Sequence, residues 1–242
     1  MNNPEVTSLF QFRPFNQYSL QLLINEIAWF SHPSSFNDPF DCAIYVDESR
    51  LEENIKDGLE LKGVDFDNLP EEIKAVKEQD RDAFKTYQAS LEARLEKAGI
   101  LCLSRAYKSI LMWAHYGDSH RGFVIEYERT PENPLAKAEP VNYQVELPSL
   151  TMKDISSDGD RFDELWLTKS EHWSYEEEWR LLADPGGKAY RFPCKVKSII
   201  FGLKMNSENR FTLEQILDGR GVEFLEAVRS KDKFELQIQK CA

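Results

Sequence analysis

The 242-residue chain carries 42 acidic against 30 basic residues, a net charge of -12, and is 41% hydrophobic and 12% aromatic. Such acidity opposes a broad grip on nucleic acid, which needs a concentrated positive face, and no run approaches the roughly 20 apolar residues of a membrane helix. The start MNNPEVTS lacks the regions of a signal peptide, and Cys42, Cys102, Cys194 and Cys241 form no CxxC pair, so a cytoplasmic protein with free buried thiols is expected.

The pattern opens with a strand and a helix, and the apolar run Ile27 to Phe30 precedes SFNDPFD (35 to 41), where Asp-Pro imposes a rigid turn. Residues 47 to 97 hold 15 acidic and 9 basic residues, half of the net charge, and read as a helical insertion into one domain spanning 1 to 242. Within it Ala83, Phe84, Tyr87, Leu91 and Leu95 fall at helical spacing, with Gly99 placed to stop the helix. Next come a buried strand at Ile100 to Leu103, a helical turn or two at Ile110 to Tyr116, and a strand at Phe123 to Tyr127. Residues 131 to 148 read as loop and short strand. Residues 160 to 171 read as helix, with Phe162, Leu165, Trp166 and Lys169 on a common side.

The last third turns to strand. Trp179 to Ala183 and Ala189 to Phe192 flank the hairpin signal Asp184-Pro185-Gly186-Gly187, and Val196 to Leu203, Val222 to Leu225 and Phe234 to Ile238 add three more strands. The class this order predicts is α+β, with mixed or mostly antiparallel sheets. The absence of GxGxxG, GxxxxGK[ST] and GxSxG leaves phosphate-cradling loops and the simplest serine hydrolase without support.

Chemistry concentrates in three segments: SFNDPFD, MWAHYGDSH (112 to 120) and WSYEEEW (173 to 179), which are expected to converge on one cleft. In the third, a strand of alternating character would put Glu176 and Glu178 on one face, an arrangement that meets solvent and lysines or raises one carboxyl for proton work. His115, Asp118 and His120 form HxxDxH, a composition for a divalent metal in a hydrolase or nuclease. The spacing suits no single helix face, and no stoichiometric zinc is expected. Alternatively HYGDSHRGF is a compact turn, with Arg121 paired to a glutamate and the histidines satisfied by backbone, in an interaction or sensor module.

With SFNDPFDC, MWAHYGDSHRGFVIEYE, WSYEEEWRLL and SIIFGLKM in this order, the chain resembles, over most of its length, the bacterial and archaeal family called domain of unknown function 2971. The opening SLFQFRPF resembles that family's usual first strand, with Arg13 in its arginine place and Gln11 and Phe12 replacing the commoner basic and aromatic pair. The label implies no activity; a bacterial stress or phage-defence setting is what such families suggest.

The motif order also resembles the ADP-ribosyltransferase fold. That likeness implies a split sheet with Arg13 on the first strand, Ser104 or Tyr116 in the second element, and Glu178 or Glu176 opening a later strand. By this resemblance NAD is the substrate: Glu178 opposes the developing sugar cation, Glu176 activates the acceptor, Tyr116 and Trp113 stack on nicotinamide with His115 beside them, and Arg13 and Ser104 hold phosphate or ribose. Glu178→Gln would then abolish turnover with little loss of stability. If Glu178 merely pairs with Arg180 or a lysine, the change costs at most about 1 kcal/mol.

Overall fold

A computed structural model describes residues 1–46, 71–150 and 162–241. The chain runs through β1 (Ser8–Arg13), α1 (Gln17–Asn25), β2 (Ile27–Phe30), β3 (Tyr45–Val46), α2 (Glu71–Lys97), β4 (Gly99–Ser104), α3 (Ile110–His115) and β5 (Phe123–Glu128). It continues through β6 (Glu139–Pro140), β7 (Asn142–Gln144), β8 (Ser149–Leu150), α4 (Phe162–Leu167), β9 (Thr168–Ser170) and β10 (Glu178–Ala183). Last come β11 (Lys188–Arg191), β12 (Val196–Phe201), α5 (Ser207–Leu217), β13 (Glu223–Arg229) and β14 (Leu236–Lys240).

Eight strands form one sheet in the order β14-β13-β12-β5-β1-β4-β10-β6, antiparallel throughout except for β12 and β13, whose parallel pairing is bridged by α5. The fold is therefore α+β with a mostly antiparallel sheet. Period-two alternation sorts its faces. Leu9, Leu101, Leu103, Ile125, Trp179 and Ile199 pack on one side with α1 and α5. Phe10, Phe12, Met112, Trp113 and Val124 pack on the other.

The sheet parts near its middle. β1 pairs with β5 along six consecutive positions, but with β4 only at Phe10 opposite Ser104. Beyond that bridge the two strands splay, and a cavity of about 220 Å³ opens between Gln11 to Arg13 and Ile100 to Leu103.

Several expectations need correction. The segment WSYEEEW is not one strand: Glu171–Glu176 is a 3-10 turn, Glu177 turns left-handed at φ 42, and the strand begins at Glu178. β10 and β11 are not a hairpin. β10 pairs with β4 and β6 while β11 pairs with β2, because the intervening glycines pack elsewhere. The amide of Gly187 donates to the Phe30 carbonyl, and a Cβ on Gly186 would lie 2.3 Å from the Ala98 carbonyl oxygen.

Gly99 does not cap the helix, which stops at Lys97. It opens β4 in close contact with Gly186 and Phe30. The helix around 160 to 171 is short, Lys169 belonging to β9; residues 160 and 161 lie outside the described residues. Of the expected insertion, residues 71 to 97 are helix and 47 to 70 lie outside the described residues. Helix α5 was not read from the sequence, although Asn206 caps it by accepting from the Asn209 amide.

Candidate functional site

On β10, alternation turns Glu178 and Arg180 to the same face, and the antiparallel register sets them opposite Ser104 and Cys102 of β4. Arg180 is fully buried and its donors are all placed. Nε and Nη2 reach Glu178 Oε1 and Oε2, each at 2.9 Å, Nη2 also reaches Asp41 Oδ2 at 2.7 Å, and Nη1 donates to the Trp166 carbonyl at 2.8 Å. Lys169 Nζ lies 2.7 Å from Glu176 Oε2, 3.0 Å from Glu178 Oε2 and 3.5 Å from Asp41 Oδ2. Three carboxylates thus meet two cations away from water, leaving one formal negative charge over.

The turn before β10 is fixed by neighbouring hydroxyls. Ser104 Oγ donates to the Glu176 carbonyl and accepts from the Ala106 amide, and Tyr143 Oη accepts from the Glu178 amide at 2.8 Å. Tyr116 Oη donates to Glu176 Oε1 at 2.7 Å.

Burial raises the Glu178 carboxyl, but Arg180 and then Lys169 more than reverse this and hold it at about 2. Glu176 is displaced upward, burial outweighing Lys169 and Tyr116. Burial pulls Lys169 down, but Glu178, Glu176 and Asp41 carry it above the ordinary lysine range, so the ammonium persists. Burial pushes the Cys42 thiol up to about 12 and Cys102 well above its ordinary value; these are inert thiols.

The opposite end of the cavity is cationic. Gln11 is 7% exposed and Arg13 half-buried, and among the described residues neither side chain makes a hydrogen bond or ion pair. Burial lowers the Arg13 pKa, yet a guanidinium keeps its charge. Leu9, Gln11 and Arg13 share one face of β1, whereas Phe10, opposite Ser104, shares the other face with Glu178. Arg13 and Glu178 therefore line one cavity from opposite faces of the sheet, the split joining them. Trp29, Phe36 and Asn37 add further wall, Trp29 being exposed.

Of the residues singled out in the sequence, Arg13, Ser104, Tyr116, Glu176 and Glu178 line this cavity. Trp113 and His115 do not. Trp113 is 0% exposed, donating to the Tyr107 carbonyl at 2.8 Å and meeting Phe12 edge-on, so it offers no face for a ligand to stack on. His115 sits outside in an aromatic group, its Nδ1 3.1 Å from Tyr175 Oη and its ring edge-on to Trp173. Trp173 in turn donates to Asp38 Oδ2 at 2.7 Å, tying SFNDPFD to the third segment.

The HxxDxH residues go three ways. Asp118 pairs with Arg121 at 3.0 Å, so the partner of Arg121 is an aspartate and not the expected glutamate. His120 stacks on Trp113 with Nδ1 unpartnered, and no backbone group satisfies it. Among the described residues no three His, Cys, Asp or Glu side chains are grouped to hold a metal ion.

Gln11 and Lys169 were not singled out as site residues; Asp41 entered only as the end of SFNDPFD, and Arg180, with an unspecified lysine, only as a partner for Glu178, which is the pairing the structure has. Gln11 left a signal as the one polar residue inside the run Leu9 to Phe12.

The arrangement defines a mixed α+β protein with a bipolar cavity at a break in its sheet. The family model described as a protein of unknown function (DUF2971) matches residues 112–181, which supports that family for this chain. The matched stretch includes Tyr116, Glu176 and Glu178 and excludes Arg13 and Ser104. No curated protein and no solved structure matches the chain.

Proposed function

We propose that the protein binds a small ligand in the split of its sheet, with an anionic group on Arg13 and Gln11 and an electron-poor or hydrogen-bond-donating group at the Glu176 and Tyr116 end. The observation that carries this reading is the buried, unpartnered Nε of Arg13 beside Gln11 on β1, since a buried donor left without a partner costs about 1–3 kcal/mol and more when charged. Carboxylates at one end and a guanidinium at the other suit a dipolar molecule. The test is calorimetry with inorganic phosphate, pyrophosphate, ADP-ribose and NAD. Binding of at least one, lost in Arg13→Met, is the expected result. No heat from any of them removes the reading.

A second reading makes the ligand NAD and the protein an ADP-ribosyltransferase-like enzyme, acting in a bacterial stress or phage response. What favours it is strand adjacency: Arg13, Ser104 and Glu178 lie on the neighbouring strands β1, β4 and β10. The bond electrons would leave with neutral nicotinamide, an acceptor nucleophile would add to the sugar carbon and lose its proton, and the surplus negative charge of the carboxylate cluster would oppose the sugar cation. Against it stands the saturation of Glu178 by Arg180 and Lys169. Nicotinamide release from NAD by wild type, absent in Tyr116→Phe and Glu176→Gln, distinguishes transfer from binding alone.

A further inference from the structure

A second cavity, of about 390 Å³, lies on the sheet face that carries α1 and α5. Leu22, Leu23, Ile27, Phe192, Leu217 and Val222 supply apolar wall, and Glu26, Lys195 and Arg220 line the same cavity, so the exposed wall is about as polar as it is apolar. Deep in it stands Tyr127, 5% exposed, whose hydroxyl makes no hydrogen bond among the described residues. Tyr127 lines this cavity and not the one beside Arg13.

The mouth is charged. Lys195 and Arg220 are exposed and reach their nearest carboxylates, Glu128 and Glu26, only at 3.9 Å; Arg220 Nη1 donates to the Leu23 carbonyl at 3.1 Å, which leaves Nε and Nη2 free among the described residues. In a chain of net charge -12, two cations against one carboxylate, Glu26, in the lining of a cavity are a local exception. Cys194 also lines the wall, but burial pushes its thiol up to about 11, so capture here is non-covalent.

We propose that this cavity is a binding site for a small organic acid with an apolar middle, its carboxylate at the mouth on Arg220 and Lys195 and a hydrogen-bond acceptor at the far end on Tyr127. Its volume falls within the usual range of such sites, and apolar side chains and charged groups share its lining. The inference does not depend on what the first cavity binds.

The probes are 8-hydroxyoctanoate, octanoate and 1-octanol, titrated into the full-length protein by calorimetry or amide chemical shifts. The hydroxy acid is expected to bind best, octanoate about tenfold more weakly for want of a partner for Tyr127, and the neutral alcohol weakest. Tyr127→Phe should erase the difference between the two acids, and Arg220→Ala should weaken both alike. Val222→Phe fills the cavity from its side and should abolish binding; if it fails to fold, Ile27→Phe serves the same purpose. Failure of both acids to bind, or binding unchanged in the filled variants and in Arg220→Ala, overturns the proposal.

Discussion

Arg180 holds Glu178 by a two-pronged ion pair within a single strand, Nε to Oε1 and Nη2 to Oε2, each at 2.9 Å. The residues stand two apart, so the pleat turns both side chains the same way, and the guanidinium fork matches the carboxylate. Glu178 is thereby fixed as an anion before any ligand arrives. Removing one partner of a buried pair strands the other's charge. Glu178→Gln should therefore cost about 3–5 kcal/mol of stability, far more than the exposed-pair figure of about 1 kcal/mol. Urea unfolding at pH 7 measures this, and activity assays on the variant must be corrected for its folded fraction.

The same carboxylate sets an acid limb. Its folded pKa, about 2, lies below the ordinary 4.5, so its contribution is fully present above pH 4.5 and is lost as pH falls from 4.5 toward 2. The size is on the order of 3 kcal/mol. Glu176 is displaced upward and works the other way, favouring the folded state while protonated and withdrawing that contribution as pH rises through its raised value. Stability measured between pH 2 and 7 should show a steep acid limb in wild type that flattens in Glu178→Gln.

Arg13 carries an opposite expectation. A half-buried guanidinium without a partner is tolerated at a cost, so Arg13→Met should raise the stability of the ligand-free protein by about 1–3 kcal/mol while abolishing anion binding. Paired melting curves, with and without pyrophosphate, read both effects at once. A variant that melts lower than wild type would mean that the guanidinium supports the fold.

Gly122 guards the end of β1. A Cβ there would lie 2.2 Å from the Arg13 carbonyl oxygen, a backbone atom that cannot swing aside, next to the Arg13 and Phe123 register pair. Gly122→Ala should destabilise by about 2–3 kcal/mol and weaken ligand binding by displacing Arg13. Circular dichroism melts and the same pyrophosphate titration check the two together.

The sequence by itself determined the strands whose alternation or unbroken apolar run demanded a sheet, among them β4, β5 and β12, because burial on one or both faces leaves a period that needs no partner to be read. The same signal carried the α+β class, whereas Arg13, Tyr116, Glu176 and Glu178 were brought forward as site residues by the resemblance to known families. It failed where local pattern and tertiary pairing diverge. Ala183 and Lys188 flank a turn signal, yet their strands pair with β4 and β2, a choice made by Gly186 and Gly187 packing against Ala98 and Phe30.

Only the tertiary structure decided the rest. In sequence Arg180 or a lysine could be offered as a partner for Glu178, but nothing local assembles Lys169 and Arg180 with Asp41. They become a buried cluster because β9, β10 and the loop after β2 converge, and the energy of a charge depends on the partners and water around it rather than on its neighbours in the chain. The separation of Arg13 and Glu178 to opposite sheet faces was likewise invisible. A face is set by register, and register here turns on the single bridge between Phe10 and Ser104.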